Sequence, residues 1–220
     1  MKITILYDNR AKPRLTRSWG FSALIEIRGE KILFDTGWDP LILESNAKKL
    51  GIKLENVSKI VLSHQHWDHI SGLSYILHKL KNTPQIYVPK SFSKHLKDEI
   101  SNMSSLFEVS KDMEICKDVI TTGELKKGNI AEQSLILKSA KGLVIITGCA
   151  HPGIDAVISK ARKFGKLYAI IGGFHDWKDL KIFDTFQVLA PCHCTTNREK
   201  IKEQYPSRFV DACAGTTLFF

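Results

Sequence analysis

The sequence predicts an α/β fold (an α+β arrangement in the coarse sense), with sheets covered by helices on their outer faces. Three observations carry this. Strand-rich stretches give way to alternating strand and helix patterns, and that order runs twice along the chain. Ile154, Val157, Ile158 and Ala161 recur with a 3.6-residue period, which marks one face of a helix. No Pro/Gly/Ser linker, repeat or low-complexity tract interrupts the 220 residues, so residues 1–220 are expected to form a single domain.

Taken in order, short β-branched and apolar runs predict strands at Ile3–Tyr7, Ser22–Ile27, Lys31–Phe34, Lys59–Leu62 and Gln85–Val88. Further strands are predicted at Ser134–Leu137, Leu143–Ile146, Leu167–Ile171 and Phe186–Leu189. The stretch "IRGEKIL" reads as a hairpin, because Gly29 can take the positive φ its turn demands. Helical patterns fill Pro40–Leu50, Ile70–Leu80, Phe92–Ile100, Ile154–Phe164 and Glu199–Gln204.

Composition bounds the function classes. With 43% apolar and 25% charged residues the chain reads as globular rather than disordered. The net charge of +9 admits an anionic partner. The lysines are scattered, however, with no basic block, which disfavours nucleic acid as the partner. No apolar run reaches the roughly 18 residues of a membrane helix. "MKITILYDN" reads as a first strand and not as a signal peptide. The five cysteines lack a disulfide-scaffold spacing, so reduced thiols in a cytoplasmic protein are the expectation. Nothing in the sequence fixes an oligomeric state.

Chemistry concentrates in "LSHQHWDHISGL", residues 62–73, directly after the apolar strand "KIVLS". In an extended segment His64 and His66 fall on one side of the chain, so two imidazoles can converge on one cation. Asp68 and His69 follow where the chain enters a helix, and a carboxylate there offsets the charge of a second divalent ion. Other histidines also fall at strand ends: His151 in "LVIITGCAHPG", His175 in "AIIGGFHDW" and His193 in "VLAPCHCTT". His78 and His95 lie within helical patterns and are read as ordinary surface or packing residues.

The pattern His64-x-His66-x-Asp68-His69 resembles the signature of the metallo-β-lactamase superfamily, and "ILFDTG" (32–37) resembles that fold's second landmark. The resemblance implies a four-layer αββα fold, two mixed sheets packed face to face with helices outside. It implies two divalent metal ions, zinc first with manganese or iron as alternatives, and Asp35 bracing the metal loop from behind the ligands. His64, His66 and His151 would hold one ion, and Asp68, His69 and His193 the other. The phrases "TGCAHPG", "GGFH", "PCHCT", "WGFSALIEI" and "EQSLIL" resemble, more narrowly, the branch that includes the methanopterin-pathway dihydropterin–ribofuranosylaminobenzene-phosphate synthase. One departure stands out. Where most members carry a bridging aspartate in "TGD", this chain has Thr147-Gly148-Cys149. Cys149 is then a thiolate ligand, a residue lining the pocket, or the mark of a weakly bound second metal. Cys192 and Cys194 are expected to alternate away from His193 in an extended chain.

Two such ions lower the pKa of a water from about 15.7 towards 7 and polarise the attacked carbonyl or phosphoryl oxygen. Asp68 is expected to orient the nucleophile, and His175 to give a proton or hydrogen bond to substrate. The loop "DNRAKPRLTRSWGFS" (8–22) is expected to overhang the site. Its Arg10 and Arg17 suit phosphate, and its Trp19 and Phe21 suit a flat ring. The expected function is a metal-dependent hydrolase acting on a small anionic or phosphorylated molecule of a pterin-like kind. The rivals are a phosphodiesterase or nuclease on the same fold, and a non-catalytic metal-containing ligand-binding protein.

Overall fold

A computed structural model describes residues 1–220. The chain divides into two compact units, Met1–Ser110 with Cys213–Phe219, and Lys111–Ala212 with Phe220. Each holds one large mixed sheet and the helices packed on it.

In the first unit the strands are β1 (Lys2–Tyr7), β2 (Ser22–Ile27), β3 (Glu30–Phe34), β4 (Lys59–Val61), β5 (Gln85–Pro89) and β6 (Ser105–Val109), with a C-terminal strand Thr217–Phe219. They form a seven-stranded sheet in the order C-terminal strand, β1, β2, β3, β4, β5, β6. Pairing is antiparallel as far as β3 and parallel from β3 to β6. The predicted hairpin closes through Arg28 and Gly29, both left-handed at φ 52 and φ 82. That is the backbone a two-residue turn needs to match strand twist.

The helices of this unit are α1 (Pro40–Lys49), α2 (Trp67–Ile70), α3 (Leu73–Lys79) and α4 (Lys94–Ser101). Asp39 caps α1 by accepting from the Leu41 and Ile42 N–H groups, and Pro40 supplies the fixed φ of the first turn. Leu24, Leu33, Ile60, Leu62, Ile86 and Val88 pack against Leu43, Ala47, Leu73, Ile76, Leu77 and Ile100 of the helices. Residues between them in sequence, such as Ile25, Ile32, Phe34 and Val61, are buried as well, so these strands are buried on both faces over most of their length.

The helix predicted over Ile70–Leu80 is broken. The His69 carbonyl accepts from the Thr36 N–H (2.7 Å) and hydroxyl (3.0 Å), so a loop occupies the acceptor that continued α-helix would use. The chain turns at Ser71–Gly72 and restarts as α3.

The second unit contains β7 (Met113–Cys116), β8 (Val119–Thr121), β9 (Leu125–Lys127), β10 (Ile130–Glu132), β11 (Leu135–Ser139), β12 (Gly142–Thr147), β13 (Leu167–Gly173) and β14 (Val188–Cys192). Its six-stranded sheet runs β14, β13, β12, β11, β8, β7, and β9 with β10 makes a separate two-stranded ribbon. β12, β13 and β14 are parallel. Helix α5 (Ile154–Ala161) buries Ile154, Val157, Ile158 and Ala161, the four residues its period singles out. Burying side chains of the Ile and Val size contributes about 1.5–3 kcal/mol each. Helix α6 (Arg198–Gln204) adds Ile201 to the same core. The strand predicted at Phe186–Leu189 begins later, because Phe186 closes a 3₁₀ turn through its N–H to the Phe183 carbonyl and sinks into the core.

Candidate metal centre

In the first unit Asp35 follows β3, and His64 to His69 follow β4, at the C-terminal ends of parallel strands. Loops there are where open α/β sheets place ligands. Asp35 is fully buried and left-handed at φ 56. Its carboxylate accepts from the Ser63 N–H, the Ser63 hydroxyl and His69 Nδ1–H, each at 2.7 Å. The Ser63 hydroxyl has one proton and gives it to Asp35, so its oxygen accepts from His64 Nδ1–H at 2.9 Å. One carboxylate thus fixes the tautomer of two imidazoles, directly for His69 and through Ser63 for His64. Both then carry their lone pair on Nε2, the form in which histidine binds metal.

The rings gather closely. His64 lies 4.6 Å from His66 and 4.2 Å from His69 between ring centroids. Asp68 Oδ2 lies 3.6 Å from His69 Nε2. His64, Asp68 and His69 are buried, whereas His66 is exposed. Gly20 permits the close approach of the 8–22 loop, since a methyl there would overlap the Asp68 carbonyl.

In the second unit Cys149 and His151 follow β12, His175 follows β13, and His193 follows β14. Glu132, the last residue of β10, is buried and accepts four hydrogen bonds. They come from the N–H groups of Cys149 (2.8 Å), Ala150 (2.8 Å) and His151 (3.0 Å) and from His151 Nδ1–H (2.9 Å). His151 is therefore oriented as His69 is, with Nε2 left as the donor atom. The His151 and His175 rings lie 5.3 Å apart. His175 is exposed, and its hydrogen bond holds the Asp176 carboxyl below the usual range, helped by that residue's own backbone N–H and by the His175 charge.

Of the seven non-glycine residues at positive φ, Asp35, Ala150, His175 and His193 fall at these loops. Such a conformation costs roughly 1–2 kcal/mol per residue. It persists where the surroundings over-determine it, as at ligand clamps.

Two sequence expectations are corrected. Phe21 does not face a substrate: it is wholly buried, edge-on to Phe34 with ring centroids 6.4 Å apart. Cys194 does not alternate away from His193. The left-handed φ of 47 at His193 ends the extended chain there, and the donor atoms of Cys149, His193 and Cys194 lie within 4.8 Å of one another. Cys192 does turn away, its thiol on the Ala190 carbonyl. Arg17 and Trp19 are exposed and Arg10 is half-buried. The 8–22 loop is fastened at its middle by Asn46, which bonds both the N–H and the carbonyl of Thr16.

Ser63, Glu132, Trp38 and Trp67 lie at or beside these loops and were not singled out by sequence reasoning. Ser63 directly precedes the histidine motif, and Glu132 opens "EQSLIL", so both were within reach of a search for acceptors beside histidines.

Mixed sheets with braced histidines on loops after their parallel strands define an α/β protein whose His-rich clusters are candidate metal sites. The family model for the metallo-beta-lactamase superfamily matches residues 18–158. An uncharacterized protein of Methanocaldococcus jannaschii is 30% identical, covering 97% of this chain and 98% of its own. The 7,8-dihydropterin-6-methyl-4-(beta-D-ribofuranosyl)-aminobenzene-5'-phosphate synthase of the same organism is 27% identical, covering 91% and 90%. Among solved structures, a metal-dependent hydrolase of the beta-lactamase superfamily superposes with a TM-score of 0.83 at 25% identity, over 100% of this chain and 99% of that one. The chain belongs to the metallo-beta-lactamase superfamily. Its fold is that of the superfamily, and no helix is long and apolar enough to cross a membrane.

Proposed function

We propose that the protein is a cytoplasmic metal-dependent hydrolase whose ligands are His64, His66, Asp68, His69, His151 and His193, borne by one metallo-β-lactamase-type domain spanning residues 1–220. The observation that carries this reading is the bracing of imidazoles. His64, His69 and His151 each have Nδ1–H committed to an oxygen acceptor, and that leaves Nε2 as the metal donor. The donor set of imidazoles with one carboxylate fits zinc, with iron or manganese as alternatives. Two divalent ions bound there would supply a nucleophile from water at neutral pH and polarise the substrate oxygen.

The chain's own residues do the rest. Asp68 accepts a proton from the attacking water and orients it, and His175, exposed at its loop, gives a proton or hydrogen bond to the leaving side. Asp35 and Glu132 hold the imidazoles in place. Arg10 and Arg17 suit an anionic or phosphorylated group, and Trp19, with Trp38 and Trp67, offers an exposed aromatic surface to a flat, pterin-like ring.

The synthase relative supports a second reading, in which the same residues serve bond formation between a pterin and an aminobenzene riboside phosphate. Elemental analysis combined with a panel of lactones, phosphate monoesters, phosphodiesters and pterin conjugates tests both. Metal-dependent turnover of a phosphorylated or anionic substrate is the expected result, with His66→Ala holding less than half the wild-type metal. Bound metal without turnover across the panel would remove the hydrolase and leave the synthase or a ligand-binding protein, and full activity in metal-stripped protein would remove the metal from the mechanism.

A further inference from the structure

We infer that Cys149, His193 and Cys194 form a thiolate-rich donor set that binds a thiophilic divalent cation. The inference rests on the metal-centre reading and specifies what one face of that centre selects.

The three donors come from two strand ends of the second unit, Cys149 after β12 and His193 with Cys194 after β14. Their ligand atoms lie within 4.8 Å of one another. A zinc–sulfur bond of about 2.3 Å sets neighbouring donors of a tetrahedral site about 3.8 Å apart. The cluster is compact enough for one ion with small side-chain adjustments.

The backbone around the cluster is built to keep it so. His193 is held left-handed, which turns Cys194 back towards Cys149 when an extended chain would point it away. The turn is fastened by Thr195, whose N–H and hydroxyl both donate to the Cys192 carbonyl, at 3.1 and 2.8 Å. The Thr195 oxygen in turn accepts the Phe174 N–H at 3.0 Å. Gly173 leaves room for the sulfur, because a methyl on it would overlap Cys194 Sγ and the Gly148 carbonyl. On the facing loop Ala150, next to Cys149, is also left-handed, and the Glu132 carboxylate pins the N–H groups of residues 149–151. Two strained residues, a bare glycine and a buried carboxylate therefore converge on the placement of two sulfurs.

Sulfur in place of oxygen changes selectivity. Thiolates favour zinc, cobalt and ferrous iron over manganese and magnesium, which prefer oxygen. On binding, each thiol gives its proton to solvent as its sulfur–metal bond forms.

Cobalt(II) is the probe. Full-length protein, stripped of metal and kept reduced, is reconstituted with Co(II) and followed by absorption and elemental analysis. The expected spectrum shows a thiolate-to-cobalt charge-transfer band in the near ultraviolet beside the visible ligand-field bands. Cys149→Ser and Cys194→Ser should each remove about half of that band, as one thiolate of two, and the double variant all of it. Cys116→Ser should leave it intact, and manganese in excess should not displace the cobalt. Cobalt bound with ligand-field bands but no charge-transfer band would overturn this inference and leave the histidine centre standing. No cobalt bound at all would overturn both. Because the wild-type spectrum alone decides the point, a variant that misfolds does not shelter the proposal.

Discussion

The carboxylate of Glu132 lies 2.9 Å from His151 Nδ1 and also accepts the His151 N–H at 3.0 Å. Its other oxygen takes the N–H groups of Cys149 and Ala150. One buried charge therefore sets the loop path and the ring orientation together. Glu132→Gln keeps the shape but turns an NH₂ group towards two N–H donors. We expect a loss of about 1–3 kcal/mol in urea unfolding, the cost of buried donors left unmet. Zinc affinity should also fall by roughly 10–100-fold. Unchanged affinity, measured calorimetrically on stripped protein, would reduce Glu132 to a loop staple.

Ser63 predicts a subtler effect. It relays Asp35 to His64, donating at 2.7 Å and accepting at 2.9 Å. Ser63→Ala deletes the relay while Asp35 retains His69 and the Ser63 backbone N–H. His64 then loses the acceptor that fixes its tautomer. Metal affinity should fall by about 10–100-fold, and crystallography of the variant should show a turned His64 ring. Wild-type affinity in Ser63→Ala would mean that packing alone orients His64.

How far the sequence discloses this arrangement depends on the range of each signal. The α5 face was legible because four apolar residues over two turns outweigh noise, and the helix is buried on that side alone. The clustering of the histidine loop was legible because four donor residues fall within six positions. Strands β7, β8, β9 and β10 were not, since runs of three or four residues, from none buried in β9 to all three in β8, are too short to carry a measurable period. Partnerships made between distant segments were also hidden: Glu132 meets His151 across 19 positions, and Ser63 meets Asp35 across 28. The Cys194 error has a different origin. Strand alternation was extended two residues past the strand, and the single left-handed φ at His193 reverses it.

Away from the site, Tyr205 predicts a pH dependence. Its hydroxyl lies 2.6 Å from Asp184 Oδ1 and 2.8 Å from the Leu180 carbonyl, and accepts from Gln204. Burial, then the Asp184 hydrogen bond and charge, push its pKa from 10.0 up to about 12. The folded state thus keeps the phenolic proton longer than the unfolded chain does. The contribution is complete below pH 10 and is lost as pH rises through about 12. Tyr205→Phe should cost about 0.5–1.5 kcal/mol at neutral pH, with the gap to wild type closing over that alkaline window in urea titrations. A gap that stays constant to the top of the window would contradict the linkage.

Trp67 carries the prediction closest to substrate choice. It sits between His66 and Asp68 and is 69% exposed, a large apolar ring left in water beside charged groups. Trp19 and Trp38 are exposed to similar degrees. Hydrogen bonds knit their loops to the same place, Phe21 N–H to the Asp68 carbonyl and Gly37 N–H to the Phe21 carbonyl. Stacking of a flat heterocycle on one such ring is worth about 1–3 kcal/mol. If the substrate is pterin-like, Trp67→Ala should raise KM by on the order of tenfold and leave kcat within about a factor of two, because stacking acts equally on ground and transition states. Trp67→Phe should recover most of the loss. A pterin carboxylate should quench the tryptophan emission of the wild type and quench Trp67→Ala less. A fall in kcat at unchanged KM would instead place Trp67 in support of the His66 and Asp68 geometry, and no quenching by any pterin would turn the search towards substrates without a flat ring.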